Sequence, residues 1–400
     1  MNENETIGIS GTRQSRENRQ KVRFGIIGLG LMGKEIASAI ARWGHLLDDG
    51  PLPVITAICN QRSLADRDWF LRNFDTLNLV TTDYRELLAS SEVDAVYCAV
   101  PHNLHDQIYV DILNAGKHLL GEKPFGIDLD SNRKIVDEVK GRDLVVRCSS
   151  EFPYYPGAKR LIDWLHSGAS GRLIEVRCGF HHSSDMDLLK PINWKRKVET
   201  NGSYGCMGDL GFHVHHIPLR MGWVPEWIFA DLSNIVTERV NSEGGKTACD
   251  TWDNATLIGR CLDPKNNRDF SIVFETKRMA PGQTNTWFIE VYGIEESARF
   301  STHNPRSFYH LRTTGREQGW TRIDIGADFF IPTITGGILE TGFSDALQQM
   351  LGAFVQEFRP GGSIHPFPNG SVEETRLSHK ILTAALRSHE TGARVPLSEV

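Results

Sequence analysis

The 400-residue sequence has no apolar run long enough to cross a bilayer, so a helical membrane span is not expected. Residues 1–21 are polar. They contain neither the apolar core of a secretory signal nor a twin arginine before one. They read as a mobile arm, with wrapping of a neighbouring subunit as the alternative. Positive charge is not in excess: 44 Lys and Arg against 50 Asp and Glu leave a net −6. That argues against a nucleic-acid-binding protein as a whole. No C-x-x-C occurs. Seven cysteines, an odd number, are scattered at 59, 98, 148, 178, 206, 249 and 261, several in apolar strand-like runs. They read as reduced, mostly buried thiols of a cytoplasmic protein. There is no internal repeat, and the one low-complexity patch, 241–246, reads as a loop.

What is present is an ordinary core-forming composition, 40% hydrophobic and 24% charged, at a length that suits two domains. The most informative segment is VRFGIIGLGLMG at 22–33. An apolar run leads into Gly28, Gly30 and Gly33, and Ile36, Ala37, Ala39 and Ile40 continue with helical spacing. Strand, glycine turn and helix in this order bind a dinucleotide. Gly28 permits the turn, Gly30 admits a pyrophosphate, Gly33 lets helix pack on strand, and the helix start at Leu31 and Met32 offers N–H groups to phosphate. Further apolar runs at 53–59, 79–81, 94–100, 118–120 and 144–148, with helical patterns between them, predict a doubly wound parallel sheet over 22–150. After residue 150 the rhythm changes. Alternating β-branched and aromatic residues at 172–180, 254–262, 269–277, 286–294 and 297–302 predict a large, open, mostly antiparallel sheet over 151–400. A helix is expected at 156–167, and Ser371 with Glu374 forms a capping box before a last helix ending near Gly392. The fold class is α/β, a Rossmann domain followed by an α+β domain.

Strand ends nominate the chemistry, because open α/β sheets bind ligands at their carboxyl edge. The second strand ends at Asn60, with Arg62 beyond. A neutral amide neither repels a 2′-phosphate nor excludes a 2′-hydroxyl, so NAD and NADP both stay open, with NAD favoured because only one basic residue is in reach. The fourth strand runs into Pro101, His102, Asn103 and His105, where Asn103 can cap the next helix. The fifth runs into Glu122, Lys123 and Pro124, and a lysine there can hold a hydroxyl or a developing alkoxide. In the second domain Asp209 and His213 stand at i, i+4, one helix face, a pair suited to proton transfer at neutral pH. The spacing of His213, His215 and His216 does not form a metal-ligand set, so no metal is expected. Trp194, Lys195, Arg196 and Lys197 suit a sugar bearing a carboxylate or sulfonate, or are a solvated basic loop. Cys206 reads as a buried thiol before a reactive one.

These segments resemble the glucose–fructose oxidoreductase / inositol dehydrogenase / rhizopine catabolism (Gfo/Idh/MocA) family. The glycine turn at 28–33, the stretch from Pro101 through 116–118 to 122–124, and the Asp209-x-x-x-His213 segment match in order. The resemblance implies an NAD(P)-dependent enzyme in which Lys123 contacts nicotinamide ribose and substrate, His213 transfers a proton and Asp209 orients the substrate. Asn103 and His105 match a cofactor-side turn. The open sheet implies a homodimer or homotetramer. The sequence departs at Asn60, where an acid is frequent, at Tyr154 and Tyr155, where an arginine is common, and at 201–203, where the glycine run is shortened. Tyr154, His181, Trp194 and Lys195 join Lys123, Asp209 and His213 as expected substrate contacts, and His182, after the same strand as His181, is also expected to border the pocket. A sugar or polyol dehydrogenase is the leading expectation. A redox-neutral NAD-dependent glycoside hydrolase shares every motif, and a non-catalytic regulator is disfavoured by the complete Lys123, Asp209 and His213 set. The partner is a small sugar or glycoside, not nucleic acid or membrane.

Overall fold

The computed structural model describes residues 19–60, 66–313, 315–326, 328–334, 342–361 and 365–400. Residues 1–18 of the arm expected at 1–21, and Arg62, lie outside the described residues, and Lys21 already belongs to the first strand.

Six parallel strands form the first sheet: β1 (Lys21–Ile27), β2 (Leu52–Cys59), β3 (Leu79–Thr81), β4 (Ala95–Cys98), β5 (His118–Gly121) and β6 (Val146–Cys148), in the order β3-β2-β1-β4-β5-β6. This is the doubly wound dinucleotide-binding order, with its switch point between β1 and β4. The central strands are apolar on both faces because helices cover both. Phe24, Ile26, Val96 and Tyr97 are fully buried. Helix α1 (Leu31–Ala41) buries the anticipated stripe of Ile36, Ala37, Ala39 and Ile40.

Nine strands form the second sheet, ordered β16-β15-β14-β13-β7-β12-β11-β8-β17. They are β7 (Leu173–His182), β8 (Pro225–Ser233), β11 (Asn254–Asp263), β12 (Arg268–Lys277), β13 (Asn285–Gly293), β14 (Glu296–Ser301), β15 (Ser307–Arg312), β16 (Thr321–Asp324) and β17 (Val395–Pro396). A separate hairpin of β9 (Glu238–Val240) and β10 (Lys246–Ala248) flanks the patch read as a loop. All pairs of the large sheet are antiparallel except β7 with β12. One face carries helices. The other leaves Phe229, Ile258 and Leu262 exposed. Strands β8, β9, β10, β15 and β16 were not anticipated, being short or weakly patterned.

Three helices matter for the site. The helix Pro156–Ser167 has the expected bounds. The helix Cys206–Arg220 lies between the sheets, and 14 of its 15 residues are buried. The last helix, Val372–Thr391, starts at the predicted box: Ser371 N donates to Glu374 Oε2 at 2.6 Å, and Ser371 Oγ accepts from Glu374 N at 3.2 Å. An unanticipated helix, Phe343–Gln356, returns to the first sheet. There Gln348 Nε2 donates to Arg42 O at 2.7 Å, and Phe354 lies 6.0 Å from Phe24. Among the described residues no helix is long and apolar enough to cross a membrane. All seven cysteines are buried and unpaired.

Candidate active site

Each glycine of the turn does a separate job. Gly28 has φ +96°, and a Cβ there would lie 2.3 Å from Ala99 O. A Cβ on Gly33 would lie 2.1 Å from Gly28 O, so helix and turn pack through its bare Cα. A Cβ on Gly30 would meet nothing within 4 Å. Gly30 therefore serves the space outside the protein. It is also the N-cap of α1 with no side-chain cap bond, so the first N–H groups of that helix point outward. Leu31 beside it is 75% exposed. Gly30, Leu31 and Met32 border a cavity of about 680 Å³, with Val100 and Pro101 after β4 and Glu122 and Lys123 after β5. A bare backbone edge, an anion-binding helix start and a cavity at the switch point fit a dinucleotide.

Two cofactor-side expectations need correction. Asn103 does not cap the next helix (His105–Asn114), whose N-cap is Leu104, and its Oδ1 is buried without a hydrogen-bond partner. His105 does not border the cavity. It is fully buried, holds Val100 O at 3.1 Å through Nε2 and stacks on Tyr109, so it braces the turn. Asn60 follows β2 as expected, with its N–H donating to Thr81 O at 3.3 Å.

The three expected catalytic residues meet at the cavity floor. Lys123 Nζ donates to Asp209 Oδ1 at 2.8 Å and to Asp209 O at 2.7 Å. Lys195 Nζ lies 2.9 Å from Asp209 Oδ2, and Arg278 Nη2 approaches the same oxygen at 3.6 Å. Burial alone would raise the Asp209 pKa, but the charges of Lys123, Lys195 and Arg278 hold it well below the usual carboxylate range. Burial would lower Lys123, yet Asp209 and Glu122 outweigh it and the ammonium is stabilised. His213, one helical turn after Asp209, is pushed well below its ordinary value, first by burial and then by the Lys123 charge. It is neutral at pH 7. Ser150 Oγ lies 3.1 Å from its Nδ1, leaving Nε2 for the cavity. Trp287 Nε1 donates to His213 O at 3.0 Å and fixes the helix there.

The remaining substrate contacts divide. Trp194 and Lys195 line the cavity. Tyr154 does not: it is fully buried, with its hydroxyl on Phe367 O at 3.0 Å, so it belongs to the core. His181 does not either. Strand alternation turns it toward Glu275 and Phe288, and His182 faces the cavity instead. The basic run 195–197 is split. Lys195 is neutralised on Asp209, Arg196 is fully buried on Asp253 and Asp185, and Lys197 is exposed. It is not a joint anion site. Burial pushes the Cys206 thiol up to about 11, which makes it inert. His215 pairs with Ser378 and His216 faces Glu374, so the three histidines diverge. Among the described residues no group of His, Cys, Asp or Glu is arranged to hold a metal.

Sequence reasoning missed His102, Glu151 and Arg278 in the lining and Ser150 behind His213, and of the two histidines it placed at the pocket border only His182 lines it. Two signals were available. Ser150 and Glu151 follow β6, a strand end at the same carboxyl edge as those that carry Pro101 and Lys123. His182 shares strand parity with Phe180, which is buried on the helix-covered face.

Comparison with known proteins agrees with this architecture. Residues 22–150 match the oxidoreductase family GFO_IDH_MocA, with an NAD-binding Rossmann fold. A levoglucosan dehydrogenase of Pseudarthrobacter phenanthrenivorans is 26% identical over 374 residues, covering 83% of this chain and 94% of that protein. A D-xylose 1-dehydrogenase (NADP(+)) of Hypocrea jecorina is 25% identical over 279 residues, 66% of this chain and 68% of that protein. A solved structure of levoglucosan dehydrogenase in complex with NADH and L-sorbose superposes with a TM-score of 0.83 at 23% identity, over 94% of this chain and 99% of the other. The segment 22–150 thus matches the Gfo/Idh/MocA oxidoreductase family model, and the chain as a whole shares the fold of these solved neighbours.

Proposed function

We propose that the protein oxidises a hydroxyl of a sugar or polyol with NAD(P), NAD being favoured. The observation that carries this is the convergence of neutral His213 and the Lys123–Asp209 pair on the cavity that opens at Gly30. A bound nicotinamide supplies the hydride acceptor. His213 Nε2 takes the hydroxyl proton, and Ser150 at Nδ1 holds the ring. An ammonium has three donors. Two of those of Lys123 go to Asp209, and the third is left for the substrate oxygen, where it favours the alkoxide. Asp209 holds both lysines in place and stabilises the Lys123 ammonium, while burial still leaves Lys195 below its ordinary value. Trp194, with Lys195 Nζ 5.7 Å from its ring centre, offers an apolar wall to a sugar face. The open sheet face with Phe229 and Ile258 is the proposed assembly surface, to be checked by sedimentation of Phe229→Glu.

The test is a panel of levoglucosan, xylose, myo-inositol and aryl glycosides, each with NAD or NADP, following reduced cofactor and released aglycone together. Stoichiometric reduced cofactor with a sugar or polyol is expected. Aglycone release with no net reduced cofactor would establish the hydrolase, and no turnover across the panel would overturn the sugar reading.

A further inference from the structure

Two carboxyls follow adjacent strands at the rim of the cavity, and their surroundings differ. Glu122, after β5, accepts from Tyr97 Oη at 2.6 Å and Ser149 Oγ at 2.7 Å. Glu151, after β6, is 5% exposed and lines the same cavity beside Phe152 and Phe180. Among the described residues no side-chain donor reaches its carboxyl. Lys123, the cation whose charge acts on it, places two of its three donors on Asp209 and none on Glu151. The groups that face Glu151 are Glu122 and Lys123, with Tyr97, Cys148 and Tyr155, all three kept neutral by burial. Burial, with the charge of Glu122 behind it, pushes Glu151 up to about 7. A carboxyl that carries its proton near neutrality is a donor. The protein gives it nothing to donate to, while the cavity does.

We propose that Glu151 determines specificity by donating a hydrogen bond to a substrate oxygen that can only accept, the ring or acetal oxygen of a cyclic sugar. This rests on the dehydrogenase reading. Hydroxyls suit Lys123 and His213, which need a proton to move or a charge to form. An ether oxygen suits only a donor, and an ionised carboxylate would repel it.

The experiment compares wild type with Glu151→Gln, which keeps the size and an N–H donor but does not titrate, on whichever panel sugar turns over. The ratio of their kcat/KM values should fall about tenfold between about pH 6 and about pH 8.5, as one hydrogen bond is lost and a charge takes its place. A merely structural role gives a ratio that does not vary with pH. In parallel, Glu151→Leu should lose about tenfold more on levoglucosan, whose acetal oxygens only accept, than on myo-inositol, whose oxygens are all hydroxyls. Calorimetric titration with NADH confirms that each variant is folded. A flat ratio, or equal losses on the substrates that turn over, overturns the proposal and leaves the dehydrogenase reading intact. A wild-type enzyme that oxidises no panel member overturns both.

Discussion

Replacing Asp209 with Asn keeps the side chain's shape and removes the one negative charge on which Lys123, Lys195 and Arg278 converge. At 2.8 Å, and an effective dielectric constant of about 20, the Lys123 pair alone is worth about 6 kcal/mol of Coulomb attraction before desolvation. Lys195 is 40% exposed, so solvent screens most of its share. Breaking a buried pair typically costs about 3–5 kcal/mol, because the orphaned charge stays buried. At an unfolding entropy of about 2.1 cal/mol/K per residue, 400 residues lower the melting midpoint by about 4–6 °C for that loss. The pH dependence has a definite sign. Asp209 is depressed in the folded state, so its contribution is fully present above the unfolded value near 4 and is lost as pH falls through the lower folded value. Calorimetric melting of wild type and Asp209→Asn at pH 7 should show the full gap, and the gap should narrow on acidification below about pH 4. A gap under about 1 kcal/mol at pH 7, or one that is unchanged in acid, would refute the reasoning.

His213→Ala should lower kcat by about two to four orders of magnitude while leaving NADH affinity within calorimetric error, since the histidine comes from the helix Cys206–Arg220 and not from the glycine turn. Gly30→Val should fold normally, because its side chain meets no protein atom, and should abolish NADH binding by calorimetry. Retained affinity would remove the dinucleotide from the turn. Glu374, bidentate on Arg220 at 2.7 and 2.8 Å, is held well below the carboxylate range. His216, lowered by burial, is neutral and contributes little charge, so Arg220 is the partner that matters. Glu374→Gln should cost about 3 kcal/mol at neutral pH and progressively less below about pH 4, measured by thermal melting.

The legible parts of the molecule are those written in local pattern. The glycine turn, the strand ends at Pro101 and Glu122, and the Asp209–His213 pair depend on short spacings, and each was placed where it stands. The capping box at Ser371 is equally local. What misled the reading was orientation. Tyr154 sits in a segment near the site, yet its ring turns into the core toward Phe367, which only tertiary packing decides. His181 and His182 differ by one residue and therefore by a whole face of the sheet. Arg196 looks like its neighbours in sequence, but its partners Asp253 and Asp185 come from distant loops. His105 holds the backbone of its own turn, a task that leaves no mark in composition.

The helix Phe343–Gln356 closes on α1, and the helix Val372–Thr391 reaches Pro124 O through His379 at 2.9 Å and Asn132 through Thr375 at 3.1 Å. The dinucleotide-binding half is thus finished by residues made about two hundred positions after its own last strand. During synthesis its final contacts wait until the helix Val372–Thr391 has left the ribosome. A chain stopped before Phe343 would leave Phe24, Ala39 and Asn132 facing water, and the cavity would lose Phe343 from its wall. Even the edge of the first sheet waits, because Cys148 of β6 exchanges backbone hydrogen bonds with Gly370, so a premature stop late in the message disables a site encoded far upstream.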